Sequence, residues 1–382
     1  MIHHINFSDI HAVPGNTTPY KFYNDELSEA LDYLLESDLD LITIAGDLFD
    51  TIYKADSLEV NITMKFIHQL INIAAGKDAK VRFIKGTESH DYDQLKLFEN
   101  YVDDRRYDVK IFNEPHIEFI ENLDLKIKYI PEVIVPDYNK FANEFLSQQS
   151  DVTIFHGLIK DVTPIMEKGN KTVIIHPDDL RDYTNLYTVC GHIHERTLIK
   201  NDLWYTGSFS TKSYTDADEE KGFDHITIED NLKDYAVNFV ENKNCHKYKI
   251  IDATEDFNRL TQDALKAKFY ELSRNTKTKE KIRIDVDISK LNETKLRNLE
   301  FIQVKFRNTF DFKGYNKDLD SNEEEIQDKV ETAQHILDKN IPITDKVIKE
   351  LKDNKKKFNL ESKDIDREKI KKLMGVVEEE NN

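Results

Sequence analysis

Residues 41–50, LITIAGDLFD, decide the fold class of this 382-residue chain. The five residues from Leu41 to Ala45 form an apolar run that predicts a buried strand, and the aspartates that follow predict a polar loop at its carboxyl end. Similar strands are predicted at 2–7 and 81–84. Apolar residues at helical spacing separate them, at 25–36 and 58–75. The order βαβαβ indicates the α/β class.

Further strands are predicted at 125–130, 152–155, 186–190 and 225–228, with fewer helices between them. A layered α/β sandwich follows from this alternation. The length of the chain suits one large domain with one or two smaller ones.

Composition limits the class of protein. The chain is 39% hydrophobic and 33% charged, and it contains no run of about 18 apolar residues that would span a membrane. Its amino terminus, MIHHINFSDIH, lacks the basic and apolar segments of a secretion signal. Only two cysteines occur, Cys190 and Cys245, which fits a reducing compartment. We therefore expect a cytoplasmic protein that does not contact membranes.

Polar residues follow five of the predicted strands. In α/β sheets chemistry collects where strands end and loops begin. A single Asp or His in such a place is weak evidence, but the ordered set predicts a metal or acid–base centre. Its members are Asp9, His11, Asp47, Asp50, His90, Asp91, His156, His192 and His194.

This ordered set resembles the signature of the calcineurin-like metallophosphoesterases, D-x-H, GD, GNH(D/E), H and GHxH. Within that superfamily the chain looks most similar to SbcD-type nuclease subunits. Three stretches carry the narrower resemblance: NFSDIH at 6–11, GDLFD at 46–50 and GSFSTKSYTDADEEKGF at 207–223. The resemblance covers roughly residues 1–240 and implies a two-sheet metallophosphoesterase sandwich over residues 1–243 that acts as a DNA nuclease in end processing, repair or recombination.

The resemblance also implies the roles of the site residues. Two divalent ions, of the Mn²⁺ type, would activate a water molecule and stabilise the charge that develops on a phosphodiester. Asp47 would bridge the ions. Asp9, His11 and His194 would complete the first site, and His156 and His192 the second. His90 would bind the phosphate or protonate the leaving group, and we expect Asp50 to orient it.

One loop departs from the family pattern. Where the family has GNHD, with the Asn as a neutral ligand of the second ion, this chain has GTESHD at 86–91. Either Ser89 or Thr87 could take the place of the Asn. We expect Ser89, because it is adjacent to His90. A hydroxyl is a poorer ligand than an amide oxygen, so the second site should bind its ion more weakly.

The carboxyl-terminal third has a different pattern. Residues 244–315 predict a small α+β module with helices at 257–272 and 292–301 and a last strand at 304–312. The net charge of the chain is −19, yet residues 266–313 carry 13 Lys or Arg against 7 Asp or Glu. By resemblance this module is a cap that binds DNA.

Residues 316–382 predict a helical tail with thin apolar stripes, and the resemblance implies that it docks an SbcC-type coiled-coil ATPase. The sequence neither predicts nor excludes a homodimer. Two other functions also remain: a phosphoesterase for nucleotides or phosphoproteins, and a non-catalytic scaffold. Against a protein phosphatase, GDLFD continues into Thr51-Ile52-Tyr53 and not into the Arg-Gly of those enzymes.

Overall fold

The computed structural model describes residues 1–160, 174–277 and 279–315. Its strands are β1 (Ile2–Phe7), β2 (Leu41–Ala45), β3 (Lys80–Ile84), β4 (Val109–Phe112), β5 (His116–Ile120), β6 (Leu125–Ile130), β7 (Ser150–His156), β8 (Leu158–Ile159), β9 (Ile174–Ile175), β10 (Thr184–Gly191), β11 (Thr197–Lys200), β12 (Leu203–Tyr205), β13 (Gly222–Ile228), β14 (Tyr235–Glu241), β15 (Lys247–Asp252), β16 (Glu280–Asp287) and β17 (Asp311–Tyr315).

Its α-helices are α1 (Pro19–Phe22), α2 (Ser28–Glu36), α3 (Leu58–Gly76), α4 (Glu99–Val102), α5 (Tyr138–Phe141), α6 (Pro177–Arg181), α7 (Thr254–Arg259), α8 (Gln262–Asn275) and α9 (Glu293–Phe306). No helix among the described residues is long and apolar enough to cross a membrane.

The chain divides into two compact units. Among the described residues, the first comprises 1–160, 174–251, 266–277, 279–284 and 306–311, and the second comprises 252–265, 285–305 and 312–315. The predicted module at 244–315 is thus shared between the units, and its boundaries stay a prediction. Everything described below for the two large sheets and the candidate site belongs to the first unit.

The first six-stranded sheet has the order β14-β13-β1-β2-β3-β4. Strands β1 to β4 run parallel, and β13 and β14 add an antiparallel edge beside β1. Parallel strands need a crossover connection, and the long helix α3 supplies it between β2 and β3. The loops that follow β1, β2 and β3 therefore meet at one edge of the sheet.

The second six-stranded sheet has the order β11-β12-β10-β7-β6-β5. Strands β6, β7, β10 and β12 are parallel, while β5 and β11 pair antiparallel with their neighbours. Gly191 at the end of β10 is in register with His156 at the end of β7. The carboxyl ends of these two strands thus bring His156 close to the loop that begins at His192.

Three buried clusters show the layers. One lies between the first sheet and helices α2 and α3, a second contains residues of both sheets, and a third covers the outer face of the second sheet beside α5 and α6. In the middle cluster, Leu41 and Ile226 of the first sheet share a core with Val152 and Val189 of the second. The chain is therefore a mixed α/β protein with layered sheets, as the alternation of segments predicts.

A buried polar chain crosses the same middle layer. The His4 ring makes hydrogen bonds of 2.7 Å to Tyr187 and to Thr43. Thr43 in turn donates to Asn6, whose amide donates to Thr206, the residue directly after β12 of the other sheet. These hydrogen bonds could not be predicted from the sequence, because the partners lie far apart in the chain.

Two predicted elements after residue 252 are wrong. The helix expected at 257–272 is two helices, α7 and α8, because the Thr261 hydroxyl accepts from the Ala264 N–H and starts a new helix. The strand expected at 304–312 is helical as far as Phe306, and β17 begins only at Asp311. Leu299, Ile302 and Phe306 are buried at helical spacing, which explains why the helix continues. The predicted tail at 316–382 lies outside the described residues.

Candidate metal centre

The backbone at the strand ends is unusual. Asp9, His11, Asp47 and His192 all have positive φ, between 45° and 97°. Non-glycine residues seldom adopt this conformation, and where they do it costs free energy that the surrounding structure must offset. Because four predicted site residues have this backbone, we infer that the fold imposes these loop conformations and that the conformations set the direction of the four side chains.

Two glycines allow these loops to approach each other. A Cβ on Gly46, whose φ is +84°, would lie 2.1 Å from Nδ1 of His156, and a Cβ on Gly86 would lie 2.2 Å from the Asp47 backbone nitrogen. Any side chain at either position would displace a predicted site residue. The Gly of the GDLFD stretch and the Gly of the GTESHD stretch are thus explained by close packing.

A first cluster contains Asp9, His11 and His194, whose ligand atoms lie within 4.8 Å of one another. Nε2 of His11 is 3.0 Å from Nε2 of His194 and 3.9 Å from Oδ1 of Asp9. Burial lowers the pKa of His11 well below its ordinary value, so its ring is neutral, the form that binds a metal. Nδ1 of His194 lies 3.4 Å from Oδ1 of Asp216, which directs the other ring nitrogen toward His11.

A second cluster contains Glu132, His156 and His192. Nδ1 of His156 is 2.7 Å from the main-chain carbonyl of Ala45, to which it donates. The other ring nitrogen, Nε2, therefore faces the cluster. It lies 3.4 Å from Oδ1 of Asp47 and 3.7 Å from Oε2 of Glu132, and within the described part of the chain it makes no hydrogen bond.

Asp47 joins the clusters. It groups with His11 and His90 on one side and with Asp9 and His156 on the other. Burial raises the pKa of Asp47, but the neighbouring His156, His11 and His90 lower it by more, and the net pKa is well below its ordinary value. Two opposed effects also act on His156. Burial lowers its pKa, but the negative charge of Asp47 has the larger effect and raises the pKa to about 10. This field attracts positive charge.

The surroundings of His90 correct one expectation. Nδ1 of His90 is 2.6 Å from the main-chain carbonyl of Asp50, while the Asp50 carboxylate lies 2.9 Å from the ammonium of Lys212. Asp50 thus orients His90 through its backbone and not, as predicted, through its side chain. The opposite ring nitrogen of His90 lies 4.0 Å from Oδ2 of Asp47 and points into the centre.

The loop at 86–91 corrects a second expectation. The Thr87 N–H donates to Oδ1 of Asp47, and the Thr87 hydroxyl lies 3.2 Å from Oδ2 of Asp47 and 2.9 Å from Oε2 of Glu132. Ser89 is exposed, and its side chain makes no hydrogen bond within the described residues. Thr87 and not Ser89 therefore occupies the position beside the clusters, because the two extra residues form a turn after Thr87 that directs Ser89 outward.

Lys212 was not predicted to belong to the site, and Asp91, which was predicted as a member of the set, holds the backbone of the loops. The Lys212 ammonium lies 3.4 Å from Nδ1 of His11 in addition to its contact with Asp50. The buried Asp91 carboxylate accepts hydrogen bonds from the backbone N–H groups of Asp47, Leu48 and Gly86 at 2.8 to 3.0 Å. Asp91 thus ties the loop after β2 to the loop after β3.

The donor groups fit divalent cations. Two nitrogens bound to one ion at about 2.1 Å and at right angles lie about 3 Å apart, and Nε2 of His11 lies 3.0 Å from Nε2 of His194. The buried Nε2 of His156 lies between two carboxylates. Its lone pair is repelled there unless a proton or a cation is present. Imidazole and carboxylate together suit Mn²⁺, Zn²⁺ or Fe²⁺ more than soft ions.

Comparison with known proteins supports a distant relationship to nucleases. The chain is 26% identical over 270 residues to the SbcD component of the SbcCD nuclease of Staphylococcus epidermidis, and the match covers 63% of this chain and 69% of that protein. No protein-family model matches the chain. One solved structure aligns with 62% of this chain and 98% of its own at a TM-score of 0.35 and 12% identity, a likeness that carries no argument.

Glu132 belongs to the site but is absent from the set predicted from the sequence. It follows Pro131 directly after β6, so it lies at a strand end like the other members. His156 was predicted because polar residues at the carboxyl ends of strands tend to form sites, and the same rule predicts Glu132 when it is applied to every strand of the second sheet. Lys212 carried no such signal, because its contacts depend on the conformation of the loops.

Proposed function

We propose that this protein is a metal-dependent nuclease that hydrolyses phosphodiester bonds of DNA with the help of two divalent ions of the Mn²⁺ type. The observation that carries the proposal is the position of Asp47 between two groups of imidazole and carboxylate ligands at the ends of parallel strands. The distant similarity to a component of a nuclease supports it.

In this proposal each member of the centre has a defined task. Two bound ions would supply an activated water molecule and stabilise negative charge on the phosphate. Asp47 would be shared between them, with Asp9, His11 and His194 at the first ion and His156 and His192 at the second. His90 is held by the Asp50 carbonyl with Nε2 directed into the centre. That nitrogen is placed to contact the phosphate or to give a proton to the leaving oxygen.

DNA is the proposed substrate, and the basic segment 266–313 is its proposed binding surface. Lys277 is exposed, while Lys279 is partly engaged with Asn244 and with Asp25. We expect replacement of Lys277, Lys279 and Lys281 by Gln to make the slope of log affinity against log salt concentration shallower, by about one unit for each phosphate contact removed. An unchanged slope would place DNA binding elsewhere.

A partner is proposed from the name of the relative, which is one component of SbcCD. We propose that this chain, too, acts with an SbcC-type ATPase in the cytoplasm, and that residues 316–382, which lie outside the described residues, dock it. Removing these residues should abolish copurification with such an ATPase and leave Mn²⁺-dependent cleavage of a short DNA intact. A truncated chain that still binds the ATPase would refute the docking role.

The central experiment compares substrates and metals in one assay. Protein stripped with EDTA is tested on linear DNA, on a nucleotide monoester and on a phosphopeptide, with and without Mn²⁺. The proposal expects Mn²⁺-dependent DNA cleavage that is lost in Asp9→Asn and kept in the matched control Asp93→Asn, an exposed aspartate. Cleavage of only the monoester or the phosphopeptide would favour a general phosphoesterase, and no hydrolysis with any metal would favour the scaffold.

A further inference from the structure

Glu132 is the acidic member of the second cluster. Its backbone N–H donates to the Lys85 carbonyl at 3.1 Å, which attaches it to the loop after β3. Its Oε2 lies 3.2 Å from Nδ1 of His192 and 3.7 Å from Nε2 of His156. The side chain is only 9% exposed. A carboxylate in this position adds a negative charge where two imidazoles already converge.

His156 gives independent support for a cation beside Glu132. It is fully buried, and since Nδ1 donates to the Ala45 carbonyl, Nε2 carries the lone pair of the neutral ring. That nitrogen makes no hydrogen bond within the described residues and is directed at the space between Glu132 and Asp47. A buried ring nitrogen that faces two carboxylates requires positive charge between them, which a proton on Nε2 supplies in the metal-free protein and a bound cation would supply in its place.

Thr87 connects Glu132 to the rest of the centre. Its hydroxyl lies 2.9 Å from Oε2 of Glu132 and 3.4 Å from Nδ1 of His192. A hydroxyl that donates to a carboxylate fixes the orientation of that carboxylate. Thr87 is thus placed to position Glu132, whereas a hydroxyl ligand by itself would be a weak donor to a metal.

We propose that Glu132 is a direct ligand of the second ion and that Thr87 positions it. This inference rests on the proposed two-ion centre and deepens it. It also reverses the expectation of a weak second site, because the ligand set then includes two carboxylates, Asp47 and Glu132, beside His156 and His192. An anionic set of this kind favours hard divalent cations such as Mn²⁺.

The experiment measures metal binding and not only activity. Apo protein is titrated with Mn²⁺ by calorimetry and by electron paramagnetic resonance of the free ion, which give stoichiometry and both dissociation constants. Wild type should bind two ions. Glu132→Gln should bind the first as wild type does and the second about 10- to 100-fold more weakly. Thr87→Val should weaken the second ion less than Glu132→Gln does.

Glu88→Gln is the matched control, since Glu88 is an exposed glutamate that neighbours Thr87 in the loop at 86–91 and pairs with Lys85. It should bind both ions as wild type does. Equal affinities for both ions in Glu132→Gln and wild type would overturn the inference, and so would an equal loss of both ions. Wild type that binds two ions without cleaving DNA would refute the proposed nuclease and leave the role of Glu132 intact, so the two failures are distinguishable.

Discussion

Asp47→Asn tests the two-ion centre most directly, because Asp47 belongs to clusters on both sides. Its Oδ1 lies 3.4 Å from Nε2 of His156 and its Oδ2 lies 3.9 Å from Nε2 of His11. An ion that binds only the folded protein at 100 times its dissociation constant stabilises it by about 2.7 kcal/mol, so two ions contribute about 5 kcal/mol. For a unit of this size that corresponds to a rise in Tm of about 10 °C or more.

The assay is a thermal melt of each variant in EDTA and in a Mn²⁺ series. Wild type should show the full metal-dependent rise in Tm, and Asp47→Asn should lose most of it, since both ions lose a ligand. The rise is taken within each variant, so any change in the stability of the apo protein cancels. Asp93→Asn, an exposed aspartate beside Lys96, is the control and should keep the rise. A full rise in Asp47→Asn would refute the bridging role.

Three further sets of variants test the catalytic role of His90, the choice between Thr87 and Ser89, and the contribution of His4 to stability. His90→Ala should lower kcat for DNA cleavage by about 10²- to 10⁴-fold with bound Mn²⁺ unchanged, and metal loss in that variant would contradict its assignment. Thr87→Val should raise the Mn²⁺ concentration needed for half-maximal cleavage while Ser89→Ala leaves it unchanged; the reverse result would restore Ser89 as the ligand. Burial, with a smaller effect of His225, lowers the pKa of His4 to about 3 from 6.5, so the stability from its neutral ring is present above pH 6.5 and is lost as pH falls toward 3. When the free energy of unfolding in urea is plotted against pH, the slope for His4→Gln should be shallower in that window than the wild-type slope by up to about 1.4 kcal/mol per pH unit. An unchanged slope would show that His4 does not cause the pH dependence.

The strand ends could be predicted from the sequence because two local signals coincide there. The apolar run of Leu41 to Ala45 marks a buried strand, and Gly46-Asp47 marks its end. In a parallel sheet every such end lies at the same edge, so Asp9 and Asp47 are expected to meet there, while His192 follows β10 of the second sheet and reaches them through the packing of the two sheets. The backbone N–H of His192 indeed lies 3.0 and 3.1 Å from the two carboxylate oxygens of Asp9.

The details within the loops could not be predicted in this way. The choice between Thr87 and Ser89 depends on where two extra residues form a turn, and both residues carry a hydroxyl. The Asp50 side chain contacts Lys212, a residue from a loop more than 150 positions away, and this leaves only the Asp50 carbonyl for His90. Such contacts depend on packing between loops, for which no spacing rule exists.

The buried Asp91 explains how a strained and highly charged centre is held before any ion binds. Asp47 has a φ of +50°, and Thr87 donates to it from the next loop. The carbonyls of Asp47 and Leu48 accept hydrogen bonds from the N–H groups of His11 and Ala12, so the loop after β2 is paired with the loop after β1. Asp91 accepts hydrogen bonds from the N–H groups of Asp47, Leu48 and Gly86, and such hydrogen bonds contribute about 0.5 to 1.5 kcal/mol each. Because these bonds attach the loops to each other and not to solvent, the backbone strain at Asp47 is offset within the fold, and its carboxylate points into the centre without help from a metal.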